Sequence, residues 1–109
     1  QWGYHIMLRN AAGDYYAFRS YPDYSQILKV VGGTATILAQ TSGLDVDTWY
    51  TFDISYDGKN LRWLVNNSSH LSASDTEITD FQELLTHQVG KETVSTIDVK
   101  WRDFKVTFA

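Results

Sequence analysis

Residues 49–56, WYTFDISY, alternate without a break: Tyr50, Phe52, Ile54 and Tyr56 share one side of an extended chain, opposite Thr51, Asp53 and Ser55. Side chains on a strand point to opposite faces with a period of two, so such a run buries one face and solvates the other only as a β-strand. Asp57-Gly58 follows, a pair that tolerates positive φ. LRWLVN (61–66) then resumes, with Leu61, Trp63 and Val65 opposite Arg62 and Leu64. This segment reads as an antiparallel hairpin.

The pattern recurs along the chain. Residues 4–9 set Tyr4, Ile6 and Leu8 against His5, Met7 and Arg9. Residues 10–14 form a turn, and residues 15–21 set Tyr16 and Phe18 against Tyr15, Ala17 and Arg19. QILKVV (26–31) and TATILAQ (34–40) flank Gly32-Gly33, a two-residue connection suited to a type I′ or II′ hairpin turn. Near the end, Ile97, Val99 and Trp101 alternate, followed by Phe104, Val106 and Phe108.

Two stretches depart from the pattern. Residues 66–80 are polar and small, which predicts a long loop or a weak edge strand. Within 79–89, Phe81, Leu84, Leu85 and Val89 have helical spacing, Thr79 with Gln82 could form a capping box, and Gly90 could end it. That predicts one short helix. About eight short antiparallel strands and one short helix in a chain of 109 residues indicate a single all-β domain, a sandwich or a barrel. Four Trp, seven Tyr and five Phe lean the same way, since aromatic residues suit a pleated, half-buried surface.

The order of the pieces carries a resemblance. The hairpin strand GDYYAFR is followed by the Gly32-Gly33 hairpin, then Thr48-Trp49-Tyr50, Asp57-Gly58, LRWLVN and a closing IDVKWRDFKVTF. This order resembles the concanavalin A-like lectin/glucanase superfamily in its laminin-G-like, carbohydrate-binding-module branch. The resemblance spans roughly residues 3–66 and 95–108 and implies an antiparallel two-sheet jelly-roll sandwich. It also implies a lectin-like, carbohydrate-binding or adhesion module of an extracellular or cell-surface protein. The family has one or more strands before the segment that here begins at Trp2, and a Gly-rich strand where residues 79–89 stand. A second expectation follows: a structural, self-assembling or interaction domain completed by a strand from a neighbouring segment or subunit.

The residues themselves narrow the chemistry. With no cysteine, disulfides, thiolate metal sites and cysteine nucleophiles are excluded. A net charge of −4 and no basic run disfavour a nucleic-acid partner, and no stretch reaches the roughly 20 apolar residues that span a bilayer. Glucanases of the superfamily carry paired carboxylates on one strand. Here Asp53 stands alone between Thr51 and Ser55, and Asp98 is matched only by distant Asp103, so no enzyme activity is expected. His5, His70 and His87 lie on separate elements without metal-ligand spacing and read as structural histidines. No cofactor is required. Asp45 and Asp47, flanking Val46, could offer calcium two hard oxygen ligands, although loop aspartates commonly cap backbone amides instead.

The aromatics carry the functional signal. Sugar rings stack apolar C–H faces on Tyr and Trp while polar neighbours bond the hydroxyls. Most rings here are needed for the core, and Trp49 and Trp101 read as pins at strand ends. Arg19, Tyr21 and Tyr24, on or just after one strand, are the expected ligand-binding residues. Asn66-Asn67-Ser68-Ser69 contains two overlapping N-x-S sequons, so Asn66 and Asn67 are candidate glycosylation sites on an exported protein.

Overall fold

The computed structural model describes residues 3–45, 50–89 and 105–108. Nine strands are found there: β1 (Gly3–Asn10), β2 (Tyr15–Ser20), β3 (Ser25–Val31), β4 (Thr34–Thr41), β5 (Phe52–Tyr56), β6 (Asn60–Val65), β7 (Ser68–Ser74), β8 (Phe81–Val89) and β9 (Lys105–Phe108). They form a five-stranded sheet in the order β4-β3-β2-β1-β8 and a four-stranded sheet in the order β7-β6-β5-β9. The first is antiparallel throughout, whereas in the second β9 joins β5 in parallel. The described residues contain no helix, and so none long and apolar enough to cross a membrane.

The two sheets share one core. Ile6, Leu8, Tyr16, Phe18 and Ile27 come from the larger sheet, and Phe52, Ile54, Tyr56, Leu61, Trp63 and Leu71 from the smaller. Those from β1, β2, β5 and β6 are the inward faces expected from alternation. Val65 and Tyr50 are only half-buried, and Phe104 and the Val106 side chain lie outside what is described. Phe18, Phe52 and His70 each present a ring against Trp63 at a steep angle. Trp63 Nε1 is buried with no acceptor among the described residues, a cost that ring contacts of this kind reduce.

The helix expected over 79–89 is a strand, and the cause is visible in the register. Arg9 pairs with Glu83 but Asn10 pairs with Phe81, so Gln82 is an extra residue, a β-bulge. The bulge resets the alternation. Phe81 and Leu84, three apart, come to the same side of the sheet, and Leu85 faces the other way, paired with Met7. An i, i+3, i+4 apolar spacing thus arises without a helix. The backbone gains a full antiparallel ladder along β1, which would otherwise be an edge.

Residues 66–80, expected as a loop or weak edge strand, contain an edge strand, β7. At its start Asn66 and Asn67 have φ of 51° and 67°, the same double positive-φ turn that Gly32 and Gly33 make with 57° and 82°. Asparagine is the non-glycine residue that enters this region most readily.

Candidate functional site

The side of the larger sheet that faces away from the core can be read from its pairings. His5 stands opposite Arg19, Arg19 opposite Gln26, and Gln26 opposite Gln40, making a polar row across four strands. Beside it runs an apolar row, Leu85, Met7, Ala17, Leu28 and Ile37, crossing all five strands.

Arg19, within this polar row, meets Tyr21 and Tyr24 beside it. Arg19 Nε donates to Gln26 Oε1 at 2.8 Å, and Gln26 Nε2 donates to Gln40 Oε1 at 2.6 Å. The Arg19 guanidinium carbon sits 5.8 Å from the centre of the Tyr21 ring, within cation–π range. The Tyr21 and Tyr24 rings are 5.1 Å apart, and His5 Nε2 lies 3.1 Å from the Tyr21 hydroxyl. All three expected residues are therefore neighbours, partly exposed, in one cluster. His5, Gln26 and Gln40 belong to it as well. Sequence reasoning missed them because alternation places a residue on a face without saying which strands lie side by side.

The cluster is held by the turn after β2, which ends at Ser20. Tyr21 N donates to Tyr24 O at 2.8 Å, closing the Tyr21–Tyr24 turn. Two glycines seat this turn. A Cβ on Gly43 would collide with the carbonyl oxygens of Tyr21 and Pro22, and one on Gly3 with Ser20 O and the Tyr21 ring. Only glycine lets the backbones approach so closely.

Under the same cluster, facing the core, Ser25 Oγ lies 2.9 Å from both Ser20 Oγ and His70 Nε2. His70 points inward because it too is a bulge: Trp63 pairs with Leu71 and Leu64 with Ser69. Burial pushes its imidazole below the ordinary value, favouring the neutral ring. Ser25 is fully buried, so this serine–histidine contact ties the sheets together and offers no accessible nucleophile.

A second polar cluster lies elsewhere in the molecule. The Tyr16 hydroxyl donates to Asp75 Oδ2 at 2.6 Å and accepts from Ile78 N at 3.3 Å, and the Tyr56 hydroxyl donates to Asp75 O at 3.2 Å. Lys29 Nζ donates to Asp75 Oδ1 at 2.9 Å and to Glu77 Oε1 at 2.7 Å. Burial, then the bond to Asp75, push the Tyr16 phenol far up. Burial alone would raise the Asp75 carboxyl, but bonds from Tyr16, Lys29 and Glu77 N outweigh it and hold the carboxyl low. The cluster fastens the 75–78 segment, with buried Ile78, over the core.

The remaining candidates are placed as follows. Asp45 is exposed and its backbone N donates to the Tyr50 hydroxyl, while Asp47 lies outside the described residues, as do Trp49 and Trp101. Among the described residues no group of three or more acidic or histidine side chains could hold a metal ion. Asn66 and Asn67 are both exposed in the β6–β7 turn; Asn66 Oδ1 accepts from Thr51 N at 2.9 Å. Asp53 lies on β5 opposite Leu64 and Lys105. No protein-family model, curated protein or solved structure matches the chain.

Proposed function

We propose that this chain is a non-catalytic carbohydrate-binding or adhesion module with a jelly-roll, lectin-like fold, acting outside the cell or at its surface. The observation that carries the reading is the Arg19–Tyr21–Tyr24 cluster with its amide row. Planar rings, a guanidinium and side-chain amides stand together at one end of the outward face, the mixture that sugar recognition uses. Exposure of the overlapping sequons supports an exported protein, and Asn67, whose amide is not engaged among the described residues as that of Asn66 is, is the better glycan acceptor. A glycan array with wild-type protein, Tyr21→Ala and Tyr24→Ala tests the reading. Binding should be lost in either variant while a cooperative melt persists; binding that survives both places the site elsewhere.

A second reading, self-association or strand capture, has one observation in its favour. Edge strand β4, TATILAQT, carries no charge; residues 34–37 are exposed and Ile37 is 53% exposed. Charged residues and proline are the usual protection of such an edge, and neither is present. Light scattering across a concentration series, with Ile37→Lys as the blocking variant, tests it. A monomer at every concentration removes this reading.

A further inference from the structure

We infer that the ligand of this surface is an acidic polysaccharide, and that Arg19 binds a sugar carboxylate through the end of its guanidinium. The inference rests on the glycan-binding reading and adds to it the charge of the ligand and the residue that reads it.

Three cations stand on the larger sheet: Arg9, Arg19 and Lys29. Two are matched by carboxylates. Arg9 lies 3.3 Å from Glu83, and Lys29 lies 2.9 Å from Asp75 and 2.7 Å from Glu77. Among the described residues no carboxylate lies within ion-pair distance of Arg19; its partners are an amide oxygen and a ring face.

The geometry also says which part of Arg19 remains to bind. Nε is committed to Gln26, so the N–H groups of Nη1 and Nη2 are left at the far end. Two of them point in parallel, the spacing a carboxylate accepts with both oxygens. Gln26 is only 5% exposed and gives its own amide to Gln40, so its oxygen cannot swing away without breaking a second bond. The Tyr21 ring backs the guanidinium and is itself in contact with His5 and Tyr24. Arg19 is thus oriented before any ligand arrives, which reduces the ordering cost of binding. A sugar hydroxyl would gain an ordinary hydrogen bond there, whereas a carboxylate gains a charge-assisted pair about twice as strong per bond. Uronic-acid residues combine that carboxylate with a ring face that can lie on tyrosine.

The test uses the full chain and three polymers, polygalacturonate, alginate and hyaluronan, each beside its carboxyl-reduced counterpart, with binding measured at low and physiological salt. The acidic member of at least one pair should bind about tenfold or more tightly than its reduced partner. Arg19→Gln should abolish that preference, and Arg9→Gln, an identical change in charge on the same face, should preserve it. Arg19→Lys keeps the charge without the paired donors and should lose most of the preference. Equal binding of acidic and reduced polymers overturns the inference and leaves the glycan reading standing. Equal loss in Arg9→Gln and Arg19→Gln also overturns it, since general electrostatics then suffices. Binding of no polymer, acidic or neutral, overturns the glycan reading and this inference with it. If Arg19→Gln fails to fold, the wild-type comparison within each pair and the Arg19→Lys variant still decide.

Discussion

Lys29 and Arg19 are both cations on the larger sheet, each close to a pair of tyrosines, and their surroundings differ in one respect. Lys29 meets two carboxylates, and the hydroxyls of Tyr16 and Tyr56 turn to the same Asp75. Every strong donor in that cluster has an acceptor within the chain. Among the described residues, Arg19 meets amides and rings only. A cluster that satisfies itself contributes to stability and leaves nothing for a ligand, whereas one whose charge is unmatched contributes less and keeps donors to offer. The two ends should therefore answer differently to the same kinds of perturbation.

The largest effect is expected at the closed cluster. Asp75→Ala removes the acceptor of Tyr16 and Lys29 and the tie to Glu77 N, and should destabilise the chain by roughly 2–4 kcal/mol in a urea titration. Binding by the Arg19 cluster should be unchanged in the folded fraction. A loss below about 0.5 kcal/mol would show that the closed cluster is not what fastens residues 75–78.

Gly43→Ala comes next. The added methyl group meets main-chain atoms of Tyr21 and Pro22, which cannot rotate aside, so the turn must shift. We expect about 1–3 kcal/mol of destabilisation, with altered NMR signals concentrated at Tyr21 and Tyr24. Signals changing mainly around Tyr16 and Asp75 would contradict the placement of this glycine under the open cluster.

Acid should separate the two ends. His70 and Asp75 both have folded values below their unfolded ones, so each binds protons less readily in the folded chain, and stability falls as pH falls. The His70 contribution is complete above about 6.5 and is lost as pH drops through its lowered folded value. The Asp75 contribution is complete above about 4 and is lost at lower pH still. His70→Gln should remove the first decline and Asp75→Asn the second; a single decline unaffected by His70→Gln would refute the assignment.

The smallest effect is expected for Arg19→Gln. Arg19 is partly exposed and carries no ion pair among the described residues, so the stability change should be about 1 kcal/mol or less. A loss matching that of Asp75→Ala would mean that Arg19 is structural, and the contrast between the two clusters would disappear.

What the sequence determined by itself is local. Alternation identified the inward faces of β1, β2, β5 and β6, and Gly32-Gly33 and Asp57-Gly58 marked the β3–β4 and β5–β6 hairpins, because both signals depend only on neighbours in the chain. The Asn66-Asn67 turn is equally local, but a pair of asparagines in a polar stretch is as common in loops as in hairpin turns. Arg19, Tyr21 and Tyr24 were legible as a group because they lie within six residues of one another. The rest depends on which strands pair and where a residue is left over. Bulges at Gln82 and His70 shift the alternation, making a strand look helical and turning a histidine inward toward Ser25. The pairing of β1, β2, β3 and β4 brings His5, Gln26 and Gln40 beside Arg19, and the return of the chain at residue 75 gives Lys29 its carboxylates. A strand's sequence states which face a side chain takes. Only the register between strands decides whose charge it meets there, because hydrogen-bonded ladders join residues far apart in the chain.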